Sequence, residues 1–130
     1  MKVVRIESQY QDELGTATNM GLRLLMAIDD KGAAQAKKGG WGLLKDITDE
    51  TNLVYEFPFE ILSKGAKLIL DYGESCALDE KEVPGETLTS PKGERYAFLI
   101  LPSKIEVGAI MKTQYDGESF NYKISSITDF

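Results

Sequence analysis

The apolar residues of this chain fall mostly on alternate positions, the mark of strands buried on one face. In residues 2–10, Val4 and Ile6 oppose Arg5 and Glu7. From Gly21, Leu22, Leu24, Met26 and Ile28 share one parity and Arg23 takes the other. This predicts a strand, with a short helix as the alternative because Leu and Met are good helix formers. Leu53, Tyr55, Phe57 and Phe59 alternate around Val54 and Glu56, and Pro58 sets the end of that strand at a sheet edge or a helix start. Residues 60–64 read as one helical turn closed by Gly65, and Leu68, Leu70 and Tyr72 then alternate with Lys67 and Asp71. Residues 96–101 have almost no polar face, which places them in the middle of a sheet. Asp116-Gly117 lies between two strand-forming runs and predicts a tight hairpin, because both residues tolerate positive φ. Beyond it Phe120, Tyr122 and Ile124 face one way, and Asn121, Lys123 and Ser125 the other.

Three segments interrupt the alternation. Residues 11–19 are polar, and Gly15 and Asn19 suit a turn. Residues 31–45 carry four lysines and no acid in an otherwise acidic chain. Residues 33–38 suit a helical turn that Gly39-Gly40 and Gly42 would stop, so this segment predicts a long basic surface loop. In it Trp41 either tucks against the body or anchors a contact between Lys37, Lys38 and a partner. Residues 73–94 predict a second long loop, acidic because seven acids stand against two lysines from Asp71 to Glu94, with Asp79, Glu80 and Glu82 as candidate contact residues. The expected architecture is a single domain over residues 1–130, mostly β. It is a small antiparallel barrel or sandwich of about six or seven strands, with at most one or two short helices and two long loops.

Composition narrows the function. At 130 residues, 42% hydrophobic and 28% charged, the chain can bury an independent core. No apolar run approaches the ~20 residues of a membrane helix, and the N-terminus lacks a signal-like apolar stretch, so a cytoplasmic protein is expected. A lone Cys76 rules out an intramolecular disulfide. The net charge of −6 works against nucleic-acid binding, which depends on Lys and Arg neutralising phosphates. The chain has no histidine, which removes the usual general base and the commonest metal ligand. An enzyme is not expected.

Individual motifs agree. Gly73-Glu74-Ser75-Cys76-Ala77 resembles a nucleophile elbow only superficially: its last residue is Ala, and no histidine can activate the serine. Gly39, Gly40 and Gly42 make no phosphate loop. Adjacent acids such as Asp12-Glu13, Asp29-Asp30 and Asp79-Glu80 point apart on a strand or into solvent on a loop. Tyr96, Phe98, Phe120 and Tyr122 lack the interleaved cations of a base-stacking platform and are expected in the core. No catalytic, cofactor or metal residue is assigned.

From residue 60 onward the chain has a recognisable cadence. Leu-Ser-Lys-Gly-Ala-Lys-Leu-Ile-Leu precedes a long polar excursion, followed by Tyr-Ala-Phe-Leu-Ile-Leu-Pro, Val107-Gly108 with Ala-Ile, Asp116-Gly117, and Phe120-x-Tyr122-x-Ile124-x-x-Ile127. Over residues 60–127 this resembles the small β-barrel proteins of tailed-phage necks, the head–tail connector or head-closure family. The resemblance implies a non-enzymatic ring subunit in host cytoplasm and virion, whose long loops touch neighbouring subunits or a partner ring. Charge segregation between residues 31–45 and 73–94 also suits head-to-tail self-association. Two other readings stand beside it: a small acidic inhibitor or immunity-type protein covering a basic surface, and a small-ligand module with a pocket between loops and sheet.

Overall fold

The computed structural model describes residues 1–15, 18–47, 54–64, 67–73, 96–115 and 117–130. These form eight strands: β1 (Lys2–Gln11), β2 (Gly21–Ile28), β3 (Gly40–Ile47), β4 (Val54–Lys64), β5 (Lys67–Asp71), β6 (Tyr96–Ile100), β7 (Ile110–Tyr115) and β8 (Glu118–Asp129). Each pairs antiparallel with the next, and β8 returns to pair with β1, so the sheet closes into a barrel. A single 3-10 turn, Ala36–Lys38, precedes β3. The expected small antiparallel β-barrel is what the chain forms, with eight strands rather than six or seven.

The extra strand is β3: residues 40–45, expected within a basic loop, begin a strand that runs to Ile47. Residues 60–64, expected as a helical turn, instead continue β4 as far as Lys64. In β3 the glycines that suggest a break are needed by the strand. A Cβ on Gly42 would come 2.7 Å from Cζ of Phe59 and would collide with the carbonyl oxygen of Arg23. One on Gly40 would come 3.1 Å from Cδ1 of Ile61. Larger side chains of β4 fill the interior that β3 leaves empty. In residues 60–64 the alternation decides: Ile61 is buried, Glu60 and Lys64 are exposed, and the ladder to β5 runs from Glu60↔Asp71 to Lys64↔Lys67. Pro58 pairs with Leu43 on one side only, since the β4–β5 ladder starts at Glu60. Pro58 therefore lies inside β4 and does not end the strand, against the expectation of a strand end there. Residues 21–28 are strand, not helix.

The core follows the predicted parities in β1, β2, β5 and β8, whereas Phe57, expected on the face of Phe59, is 42% exposed. Val4 and Ile6 of β1, Leu22, Leu24 and Met26 of β2, Ile61 and Leu70 of β4 and β5, and Met111 and Ile124 of β7 and β8 are all but inaccessible to solvent. Eight strands leave an interior just wide enough for side chains to fill, and each buried aliphatic contributes roughly 1.5–3 kcal/mol relative to exposure. The odd spacing Ile124-x-x-Ile127 is resolved by a bulge. The β1–β8 register shifts between Glu7 and Ser8, so that Ile124 faces Ser8 while Ile127 faces Ile6. Both isoleucines thereby pack on the core. Ser125, the extra residue, donates its hydroxyl to the Glu7 carbonyl at 3.2 Å.

Local polar bonds close the barrel ends. Asp29 Oδ1 accepts the backbone N–H groups of Lys31 and Ala33, each at 2.9 Å, and shapes the turn after β2. The Gly32 carbonyl then accepts the N–H of Ile105 at 2.8 Å, tying in the buried residue that plugs this end. At the β7–β8 hairpin Gly117 has φ +80°, and Tyr115 pairs with Glu118; Asp116 lies outside the described residues.

A candidate protein-contact surface on the barrel wall

Closing the sheet gives every strand one inward and one outward face, so the wall can be read row by row from the register. One row runs Arg5–Leu25–Trp41–Glu60–Asp71–Tyr96 across six strands. The next runs Leu62–Ile69–Phe98–Gln114. Trp41 is 62% exposed, Tyr96 40%, Phe98 41% and Ile100 48%. The Lys67 ammonium sits 4.7 Å from the centroid of the Phe98 ring, a cation–π contact worth about 0.5–1 kcal/mol at an exposed site.

This corrects the expectation for two aromatics. Tyr122 is buried and Phe120 packs against the core, each beside Tyr10 at 5.8 Å between ring centroids. Tyr96 and Phe98, in contrast, stand on the wall. Strand β6 turns Ala97 and Leu99 inward, so its remaining apolar residues must face out. The available signal was the absence of a polar face in residues 96–101, which in a closed barrel means apolar groups in solvent.

Of the candidate contact residues, Lys37 and Lys38 are exposed in the 3-10 turn, where the Lys38 N–H donates to the Gln35 carbonyl at 3.0 Å. Trp41 follows on β3 and neither tucks inward nor sits on a loose arm; it is a wall residue between Leu25 and Glu60. Asp79, Glu80 and Glu82 lie outside the described residues, as do Cys76 and all of the acidic segment after Gly73.

Some of the described acids and bases form surface pairs. Arg23 Nε lies 2.6 Å from Glu7 Oε1, Lys2 lies 3.0 Å from Asp129, and the N-terminal amine lies 3.3 Å from Asp30. Asp12 and Asp29 spend carboxylate oxygens on their own turns. Among the described residues no three His, Cys, Asp or Glu side chains gather as metal ligands. A groove of about 450 Å³ runs beside Lys67, Phe98 and Ile100 toward Ala34 and Ser103, and a second of about 210 Å³ lies over the bulge between Glu7, Asn19 and Arg23. No described helix is long and apolar enough to cross a membrane. No family model, curated protein or solved structure matches the chain.

Proposed function

We propose that this protein is a non-enzymatic assembly protein that works through contacts with other protein chains. The observation that carries the reading is the wall. Side chains fill the barrel interior, while Trp41 on β3 and Tyr96, Phe98 and Ile100 on β6 stand in solvent, with β4 and β5 between them. Aromatic residues are enriched where proteins bind one another, because they bury a large area at a low entropic cost. Closing the barrel gives every strand two neighbours and leaves little edge for strand addition, which favours contacts made by wall side chains and by the loops. The specific form suggested by the sequence cadence over residues 60–127 is a subunit of a tailed-phage head–tail connector ring, self-associating or seated on a partner ring. Lys37, Lys38 and Trp41 would then lie in the contact.

Light scattering on a sizing column, at low and high salt, is the test. The expected result is an oligomer, and Trp41→Ala is expected to reduce it without unfolding the barrel. A monomer at every concentration and salt would count against the reading.

A further inference from the structure

The outer face of the β4–β5 ladder carries an unusual order of charges. Its three consecutive outward rungs are Glu60 with Asp71, Leu62 with Ile69, and Lys64 with Lys67. The inward positions between them, Ile61 and Leu70, are buried, which fixes the other parity as the wall. An acidic rung, an apolar rung and a basic rung thus follow one another, spaced by about 7 Å along the strands. Like charges directly opposite on neighbouring strands are unfavourable within one chain. Here such a pair occurs twice, once of each sign, symmetrically about the apolar rung.

We infer that this strip is a self-complementary docking surface whose occupant is a second copy of the same chain. The inference rests on the reading that this protein works through contacts with other chains, and gives it a two-fold contact in place of a head-to-tail one. Consider two barrels placed wall to wall, related by a two-fold axis in the interface along the Leu62–Ile69 rung. The rotation reverses the strand direction but keeps the position across the strands. Glu60 then faces Lys64 of the second copy and Asp71 faces its Lys67, and the same two pairs form in reverse. That gives four oppositely charged pairs around a shared apolar centre, and each like-charged rung meets its counter-charge. An axis parallel to the strands would instead set acid against acid and lysine against lysine, so the charge order selects one orientation.

Strand β6 extends the match. Phe98 lies beside Ile69 in the apolar row and would meet its own counterpart, while Tyr96 beside Asp71 would meet Ile100 of the second copy, two residues beyond Phe98 on the same face of β6. Both members of that last pair are exposed apolar residues. A partner carrying charge of a single sign would be attracted at one rung and repelled at the other. The strip therefore favours a surface with the same order reversed, which an identical copy supplies. Contacts of this isologous kind are self-limiting at two copies.

The experiment is sedimentation velocity on the full chain and two exposed-residue variants, Glu60→Lys with Asp71→Lys and Lys64→Glu with Lys67→Glu. The wild type is expected to dimerise, more tightly at low salt than at high salt. Each variant alone would place only like charges in the contact and should self-associate roughly 100-fold more weakly. Mixed in equal amounts, the two variants restore opposite charges at both outer rungs and should form a one-to-one dimer. That recovery also shows that both variants are folded. Self-association of either variant as strong as the wild type's, or a mixture that stays monomeric, overturns the strip. If the wild type oligomerises but the reversals leave the oligomer unchanged, the strip fails while the assembly reading survives. A monomeric wild type at all salts defeats both.

Discussion

Replacing Gly42 with Ala adds one methyl group at a place where the barrel has no room for it. Its carbon would lie 2.7 and 2.8 Å from Cζ and Cε1 of the Phe59 ring, besides colliding with the carbonyl oxygen of Arg23. Contacts below 3.0 Å force something to move. The ring has little freedom to do so, because Phe59 is 3% exposed and meets Tyr72 edge-on at 5.5 Å. Inserting a methyl group into a filled core costs about 1–3 kcal/mol. A domain of this size loses roughly 4 °C of melting temperature per kcal/mol, so a fall of about 4–12 °C is expected. The sign is informative, since Gly to Ala at an unstrained site with space usually stabilises by about 0.4–1 kcal/mol. Thermal unfolding followed by circular dichroism measures the single variant, and urea titration supplies the free energy. Adding Phe59→Leu should recover part of the loss, with a coupling of about 0.5–2 kcal/mol between the two sites. A Gly42→Ala protein as stable as the wild type, or a double variant whose losses simply add, would refute the idea that Gly42 is kept bare to admit the ring.

Other substitutions probe separate parts of the structure. Met111→Ala empties a fully buried site among the β7 and β8 core residues and should cost about 2–5 kcal/mol by urea titration. Gly117→Ala forces an L side chain into φ +80° at the β7–β8 turn and should cost about 1–2 kcal/mol by the same measurement. Arg23→Ala removes the pair with Glu7 across β1 and β2, but both side chains are partly exposed, and calorimetry should show a loss of about 1 kcal/mol or less that shrinks at high salt. A larger effect would mean that this pair braces the neighbouring bulge.

The candidate surface was only partly legible before the strands were closed. Trp41 could be singled out as a lone Trp beside lysines, yet its placement depends on β3, and β3 was hidden by the glycines at 39, 40 and 42. A glycine reads as a break when its neighbours along the chain are considered alone. It becomes a strand residue once a ring from the adjacent strand occupies the space its side chain would need. Tyr96 and Phe98 were legible as apolar but not as outward-facing, because a doubly apolar strand can be buried on both faces in a layered sheet and on only one in a barrel. Residues 60–64 suit a helical turn by sequence, and the pairing of 60, 62 and 64 with 71, 69 and 67, which sets an acidic, an apolar and a basic rung in order, is a tertiary fact.

What the sequence determined alone is the alternation: Val4 and Ile6, Leu22 through Ile28, and Phe120 through Ile124 each commit one face to the core, because a period of two leaves a strand no other way to bury its apolar groups. Local chemistry also determined the hairpin glycine at 117 and the turn around Gly15. Closure of the sheet, the existence of β3 and the identity of the outward neighbours come from packing between strands. Those outcomes depend on register between strands distant in the chain, where the size of one residue's side chain is set by the space its neighbour across the ladder leaves free.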